Sequence, residues 1–197
     1  TALFDAGDRI AVDRYTYANF INLAKQLNIR LIPIEGDVDG MLPDALAQQH
    51  QQINIKGVYL MPSCTNPTGI VIPEKRRREI AAVLCKHNIL LIEDDAYGFT
   101  ARENAAPMTV LLPRQSVYLH SLSKLTCPGL RVAYMLVPAH FRQLIRRAAR
   151  SISMAIPPLS AEIASELIES GAAERIMREK CRMSEERNHI FRGIFPA

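Results

Sequence analysis

The chain has 197 residues, 48% hydrophobic and 22% charged, with a net charge of +4. That is enough for one well-buried domain and too little for two ordinary ones, and no apolar run approaches the ~18 residues of a membrane span. Four scattered cysteines without a CxxC pair argue for reduced, cytosolic thiols rather than a disulfide framework, and the five histidines form no ligand-spaced set, so no metal is expected.

Strand and helix signals alternate. Arg9–Val12 is a short strand, Tyr17–Leu27 a helix and Arg30–Ile34 a strand. Pro43–His50 is a helix, with Pro43 suited to its first turn. Gly57–Met61 is a buried-strand pattern, and Glu74–His87 a helix with Ile80, Val83 and Leu84 on one face. Ile89–Ile92 is an apolar run closed by three acids, Glu93, Asp94 and Asp95. Val117–Leu119 and Val132–Val137 complete the strands. From Ala139 onward the pattern is helical, broken at Pro157-Pro158. Leu159–Glu169 follows, closed by Gly171, and then Glu174–Phe191. The basic clusters Arg76-Arg77-Arg78 and Arg146-Arg147 sit in helical segments among acids and read as solvated helix faces, not as a nucleic-acid patch.

Such an order predicts a three-layer α/β/α fold with a mostly parallel sheet. Ligands of these folds sit beyond the carboxyl ends of the strands. Three polar segments follow apolar strands here. They are Ser63 to Gly69, Asp94 to Gly98, and Ser121 to Lys124 with Pro128 to Arg131 beyond. Each alone is weak evidence, because Asn-Pro and Thr-Gly are turn formers, strand-end carboxylates are often caps, and a lone lysine is usually a surface charge.

Together they resemble the class I/II aminotransferases of pyridoxal-phosphate (PLP) fold type I. That family carries an NPTG loop, then D-x-x-Y, then S-x-S-K with an arginine downstream. The same order occurs as Asn66-Pro67-Thr68-Gly69, Asp94 to Tyr97, and Ser121 to Arg131. Asp5 to Asp8 and Val12 to Tyr17 resemble the family's PGD and E-x-P-x-Y stretch, with departures at Ala6, Asp13 and Tyr15.

The resemblance implies PLP as cofactor, held as a Schiff base by Lys124, whose amine then serves as general base and acid. It makes Asp94 the partner of the protonated ring nitrogen, in preference to Asp95. Asn66 and Tyr97 become donors to the ring's phenolic oxygen, and Ser121, Ser123 and Arg131 become phosphate ligands. Tyr17 matches the aromatic stacked on the ring, and Tyr15 is a weaker candidate. His120 beside Ser121 reads as a core histidine.

Residues 1–150 are then the large PLP-binding domain, incomplete at its N-terminus, and 151–197 a helical segment leading to a small domain. The chain opens at Thr1 without a methionine and stops at Pro196-Ala197, so it reads as a piece of a longer protein, with Thr1-Ala2-Leu3 the tail of an upstream helix. The implied function is a cytoplasmic, homodimeric aminotransferase acting on an amino acid and a 2-oxo acid. The alternative is the effector domain of a MocR/GntR-type transcriptional regulator, which binds DNA through an N-terminal winged-helix domain outside this chain.

Overall fold

The computed structural model describes residues 2–100, 106–152 and 156–195. Its strands are β1 (Arg9–Asp13), β2 (Arg30–Ile34), β3 (Gly36–Asp37), β4 (Gly40–Met41), β5 (Gly57–Leu60), β6 (Leu90–Asp94), β7 (Ser116–Ser121) and β8 (Ala133–Leu136). The helices are α1 (Ala18–Gln26), α2 (Pro43–Ile53), α3 (Glu74–His87), α4 (Leu122–Leu125), α5 (Ala139–Ile152), α6 (Pro158–Glu169) and α7 (Ala172–Ile194). Six strands form one sheet in the order β2-β1-β5-β6-β7-β8. All pair in parallel except β8, which runs antiparallel to β7.

Period-two alternation sorts the central strands between two apolar layers. Ala11, Val58, Leu60 and Leu91 face one layer, with Leu46 of α2 and Ile80 and Leu84 of α3. Ile10, Val12, Tyr59, Leu90 and Ile92 face the other, with Phe4 and with Phe20 of α1. Gly57 allows that second layer to form, because a Cβ there would stand 2.5 Å from the Phe4 ring. A third cluster lies at the far end, where Leu122, Leu125, Leu130, Val132 and Ala164 are buried together.

Most expected elements appear within a few residues, and Glu74–His87 matches in full. Two expectations are corrected, and two short elements are added. Ala2 and Leu3 are irregular rather than helical, while Thr1, Pro196 and Ala197 lie outside the described residues. The β3–β4 hairpin and the short α4 were not foreseen, since two- and four-residue elements carry no periodic signal. The arginine run on α3 is a solvated face only at Arg78, whose side chain is 63% exposed and pairs with Glu74. Arg76 is paired with Asp37 at 2.9 Å, its side chain only 12% exposed. Arg77 is 2% exposed and donates to the carbonyls of Ile72, Pro62 and Ala106 at 2.8, 3.0 and 3.2 Å. It ties the two ends of the β5–α3 loop to the segment at Ala106, because a guanidinium can serve several acceptors at once.

The strand order reverses between β1 and β5, so the connections diverge there and leave a crevice at the carboxyl ends. Because β8 runs the other way, its amino end reaches the same edge of the sheet. Residues that follow β1, β5, β6 and β7, and those that precede β8, therefore meet in one place.

Candidate active site

A cavity of about 430 Å³ occupies that edge. All eight expected site residues line it. Tyr17 comes from the end of β1, Asn66 from the loop after β5, and Asp94 and Tyr97 from the end of β6. Ser121, Ser123 and Lys124 come from the end of β7, and Arg131 precedes β8. Tyr15 is 62% exposed and lines a different cavity.

The acidic run splits by alternation. Glu93 is fully buried and accepts from the amides of Met108 and Thr109 and from the Thr109 hydroxyl, at 2.9, 2.7 and 2.6 Å. Burial raises its pKa, and these three donors offset part of that. Asp94 faces the cavity. Its Oδ2 accepts from the Tyr59 hydroxyl at 2.7 Å and its Oδ1 from the Ala96 amide at 3.2 Å. Asp95 is buried, takes a 2.6 Å bond from the Tyr118 hydroxyl, and does not line the cavity. A side chain at Gly98 would collide with the Asp95 carboxylate, which explains a glycine there. One strand end thus uses its first acid to hold a loop, its second to face the site and its third to lock β7.

The loop after β5 closes on itself. The Thr65 amide donates to Ile70 O at 2.8 Å and the Gly69 amide to Thr65 O at 2.6 Å. Gly69 takes φ +73, a left-handed value that a glycine adopts without penalty. This closure, with a cis Asn66-Pro67 bond, presents Asn66 to the cavity.

Lys124 lies on the four-residue α4. Leu122 and Leu125 on either side of it are buried, which turns Lys124 outward, and its Nζ stands 5.6 Å from the centre of the Tyr97 ring. Ser121 caps α4, its hydroxyl oxygen accepting the Ser123 amide at 3.2 Å. The hydroxyl proton stays available to a ligand. Arg131 adopts φ +54, uncommon for a residue with a side chain and often found at binding sites. It closes the 3-10 turn Pro128–Leu130 and lines the same cavity as the two serines.

Two contributors, Tyr59 and Tyr118, escaped the sequence reading, and a third, His120, was expected as a core histidine and lines the cavity instead. Tyr59, 2% exposed, orients Asp94, and burial and the Asp94 charge raise its pKa so that it remains a donor. A tyrosine inside an otherwise aliphatic buried strand was the available signal, since a buried hydroxyl needs a partner. Tyr118 fixes Asp95 in the same manner. His120 lines the cavity with Nδ1 3.2 Å from Asp95 O; a carbonyl can only accept, so Nδ1 carries the proton.

The set contains an amine, a carboxylate, an amide, a phenol, two hydroxyls and a guanidinium around one open space. It can hold a phosphorylated ring that bears a carbonyl carbon, a basic ring nitrogen and an acidic oxygen. Fold and site together define a PLP-type α/β domain. Residues 1–194 match the family model Aminotransferase class I and II, and the chain belongs to that family. It is similar to the HTH-type transcriptional regulator YdeF of Bacillus subtilis, with 32% identity over 96% of this chain and 41% of that protein. It is also similar to aromatic-amino-acid aminotransferase 1 of Thermococcus litoralis, with 26% identity over 86% of this chain and 42% of that protein. The crystal structure of an archaeal alanine:glyoxylate aminotransferase superposes with a TM-score of 0.85 at 25% identity, covering 90% of this chain and 46% of that one. The chain spans less than half the length of each of these three.

Proposed function

We propose that the cavity holds PLP covalently on Lys124, and that the whole protein is an aminotransferase moving an amino group between an amino acid and a 2-oxo acid. The observation that carries this is the meeting of Lys124 and Asp94 in one cavity, with Asp94 pinned by Tyr59. The bound cofactor supplies an electron sink for a carbanion at the substrate's Cα. Asp94 offers its carboxylate to the protonated ring nitrogen. Asn66 and Tyr97 donate to the phenolic oxygen, while Ser121, Ser123 and Arg131 hold the phosphate. Tyr17, which lines the cavity, would be the aromatic that lies against the ring. The Lys124 amine would hold the cofactor's carbonyl carbon and would also be the group placed to move the proton at Cα as base and then acid. Residues 1–150 form the cofactor domain and 151–197 lead toward a small domain, in a cytoplasmic homodimer.

The test is a half-reaction. Full-length protein loaded with PLP is given single amino acids, and visible absorption and 2-oxo acid are followed. One equivalent of 2-oxo acid per site is expected, and none from Lys124→Ala. Loaded protein that yields no 2-oxo acid with any amino acid counts against transamination.

The 32% identity to a transcriptional regulator favours a second reading, in which the same PLP site serves sensing in a DNA-binding protein. Amino-acid-dependent binding of the full-length protein to its own promoter DNA, without turnover, would establish that reading over the first.

A further inference from the structure

The four-residue α4 cannot satisfy its own carboxyl end. The Thr126 amide and hydroxyl both bond to Leu122 O, at 2.8 and 2.9 Å. Cys127 is then extended and Pro128 follows, so the helix cannot continue. The carbonyls of Lys124 and Thr126 are left facing outward at the negative end of a helical turn, where a cation is favoured. The Lys180 ammonium of α7 meets both, donating to Lys124 O and Thr126 O at 2.9 Å each.

The next residue binds a second wall of the cavity. Cys181 Sγ donates to Phe99 O at 3.1 Å, and Phe99 lies in the 3-10 turn just after Tyr97. Met177, one turn earlier on the same face of α7, packs against the apolar cluster to which Leu122 and Leu125 of α4 belong. A single helix face therefore holds the main chain of Lys124 and the turn that carries Tyr97. These are the two side chains that approach one another at 5.6 Å.

We infer that Lys180 is a positioning residue for Lys124: its ammonium caps α4 and fixes the direction in which the cofactor lysine enters the cavity. The inference rests on the reading of the cavity as a PLP site. Lys180 touches neither cofactor nor substrate. It acts through the backbone of Lys124, and any cation able to span the two carbonyls should serve.

The test uses the full-length protein and four variants. Lys180→Met keeps the apolar stem and removes the cap, Lys180→Gln keeps one donor group, and Lys180→Arg keeps the charge. Arg178→Met removes a neighbouring charge that pairs with Glu174 on the exposed side of α7. PLP affinity, visible circular dichroism per bound PLP, and amide hydrogen exchange over residues 122–127 are measured. Lys180→Met is expected to weaken PLP binding about tenfold, the size of one charge-assisted hydrogen bond. It should also lower the visible dichroism and speed exchange at Leu125 to Cys127. Lys180→Gln should fall between, and Lys180→Arg and Arg178→Met should stay near wild type. Unchanged binding and dichroism in Lys180→Met, or equal losses in Arg178→Met, would overturn the positioning role while leaving the cofactor reading intact. Wild-type protein that gains no visible band with PLP would overturn the cofactor reading itself, and the inference with it.

Discussion

The α3 flank at the centre of the sheet and the flank at its β8 edge are built differently. All four residues of β5 are buried, and α3 buries Arg77, Ile80, Ala81 and Leu84. Across the sheet, all four residues of β8 are exposed and α5 buries none. The cavity lies between these regimes. Asp94 and Tyr59 stand on strands locked in the core, whereas Lys124 and Arg131 stand on short turns held by capping side chains. One wall of the site is therefore set by the fold, and the other by a few polar contacts. Substitutions of packed residues behind the first wall should register as lost stability, and those of cavity-facing side chains and of the second wall as lost ligand binding or turnover.

The hardest strain on that comparison is Arg77→Met. It leaves the carbonyls of Ile72, Pro62 and Ala106 without their guanidinium, deep in the packed flank. A loss of about 3–5 kcal/mol in denaturant unfolding is expected, as for other broken buried networks. A loss near zero would mean that this flank is not rigid.

Next come the adjacent acids. Asp94→Asn should cut amino transfer about a hundredfold or more, as removal of one preorganised electrostatic partner does, with little change in stability. Asp95→Asn should do the reverse, because Asp95 receives Tyr118 on the core side and stays out of the cavity. Paired kinetics and urea titrations of both variants decide the matter, and a larger kinetic loss in Asp95→Asn would reverse the assignment.

Asp13, at the end of β1, gives a pH-dependent effect. Burial raises its pKa from the ordinary 3.8 to about 6, against a lowering by its backbone hydrogen bond with Met41. The folded state thus prefers the protonated form. The stability this preference brings is full below about pH 4 and is lost as the pH rises through about 6. Asp13→Asn should be more stable than wild type at pH 8, by at most ~3 kcal/mol, and close to it at pH 4. A gain independent of pH would show that Asp13 is not held off its ordinary pKa.

The smallest effect belongs to the exposed flank. Met135 on β8 is 50% exposed, and Met135→Ser should change stability by no more than about 0.5 kcal/mol in this chain. A larger loss would mean that the flank is packed after all.

The asymmetry also governs what could be read from the sequence. Buried strands such as Gly57–Leu60 and the long α3 announce themselves through apolar runs and periodicity. The site residues were legible because most follow an apolar strand closely, and because their order, Arg131 included, matched one family. What escaped was the support. Tyr59 looks like one more core residue, Arg77 like one more surface charge, and Lys180 is 56 positions from the carbonyl of Lys124. Such contacts depend on which elements pack together, and that follows from the tertiary fold rather than from any local pattern. The Asp95–Tyr118 bond, across 23 positions, is hidden for the same reason.

Covalent attachment of the cofactor to Lys124 is the central claim. Full-length protein loaded with PLP, reduced with borohydride and digested, should carry its pyridoxyl group on the peptide containing Lys124 and on no other, and Lys124→Ala should carry none. A pyridoxyl group mapped to a different lysine, such as Lys180, would contradict it.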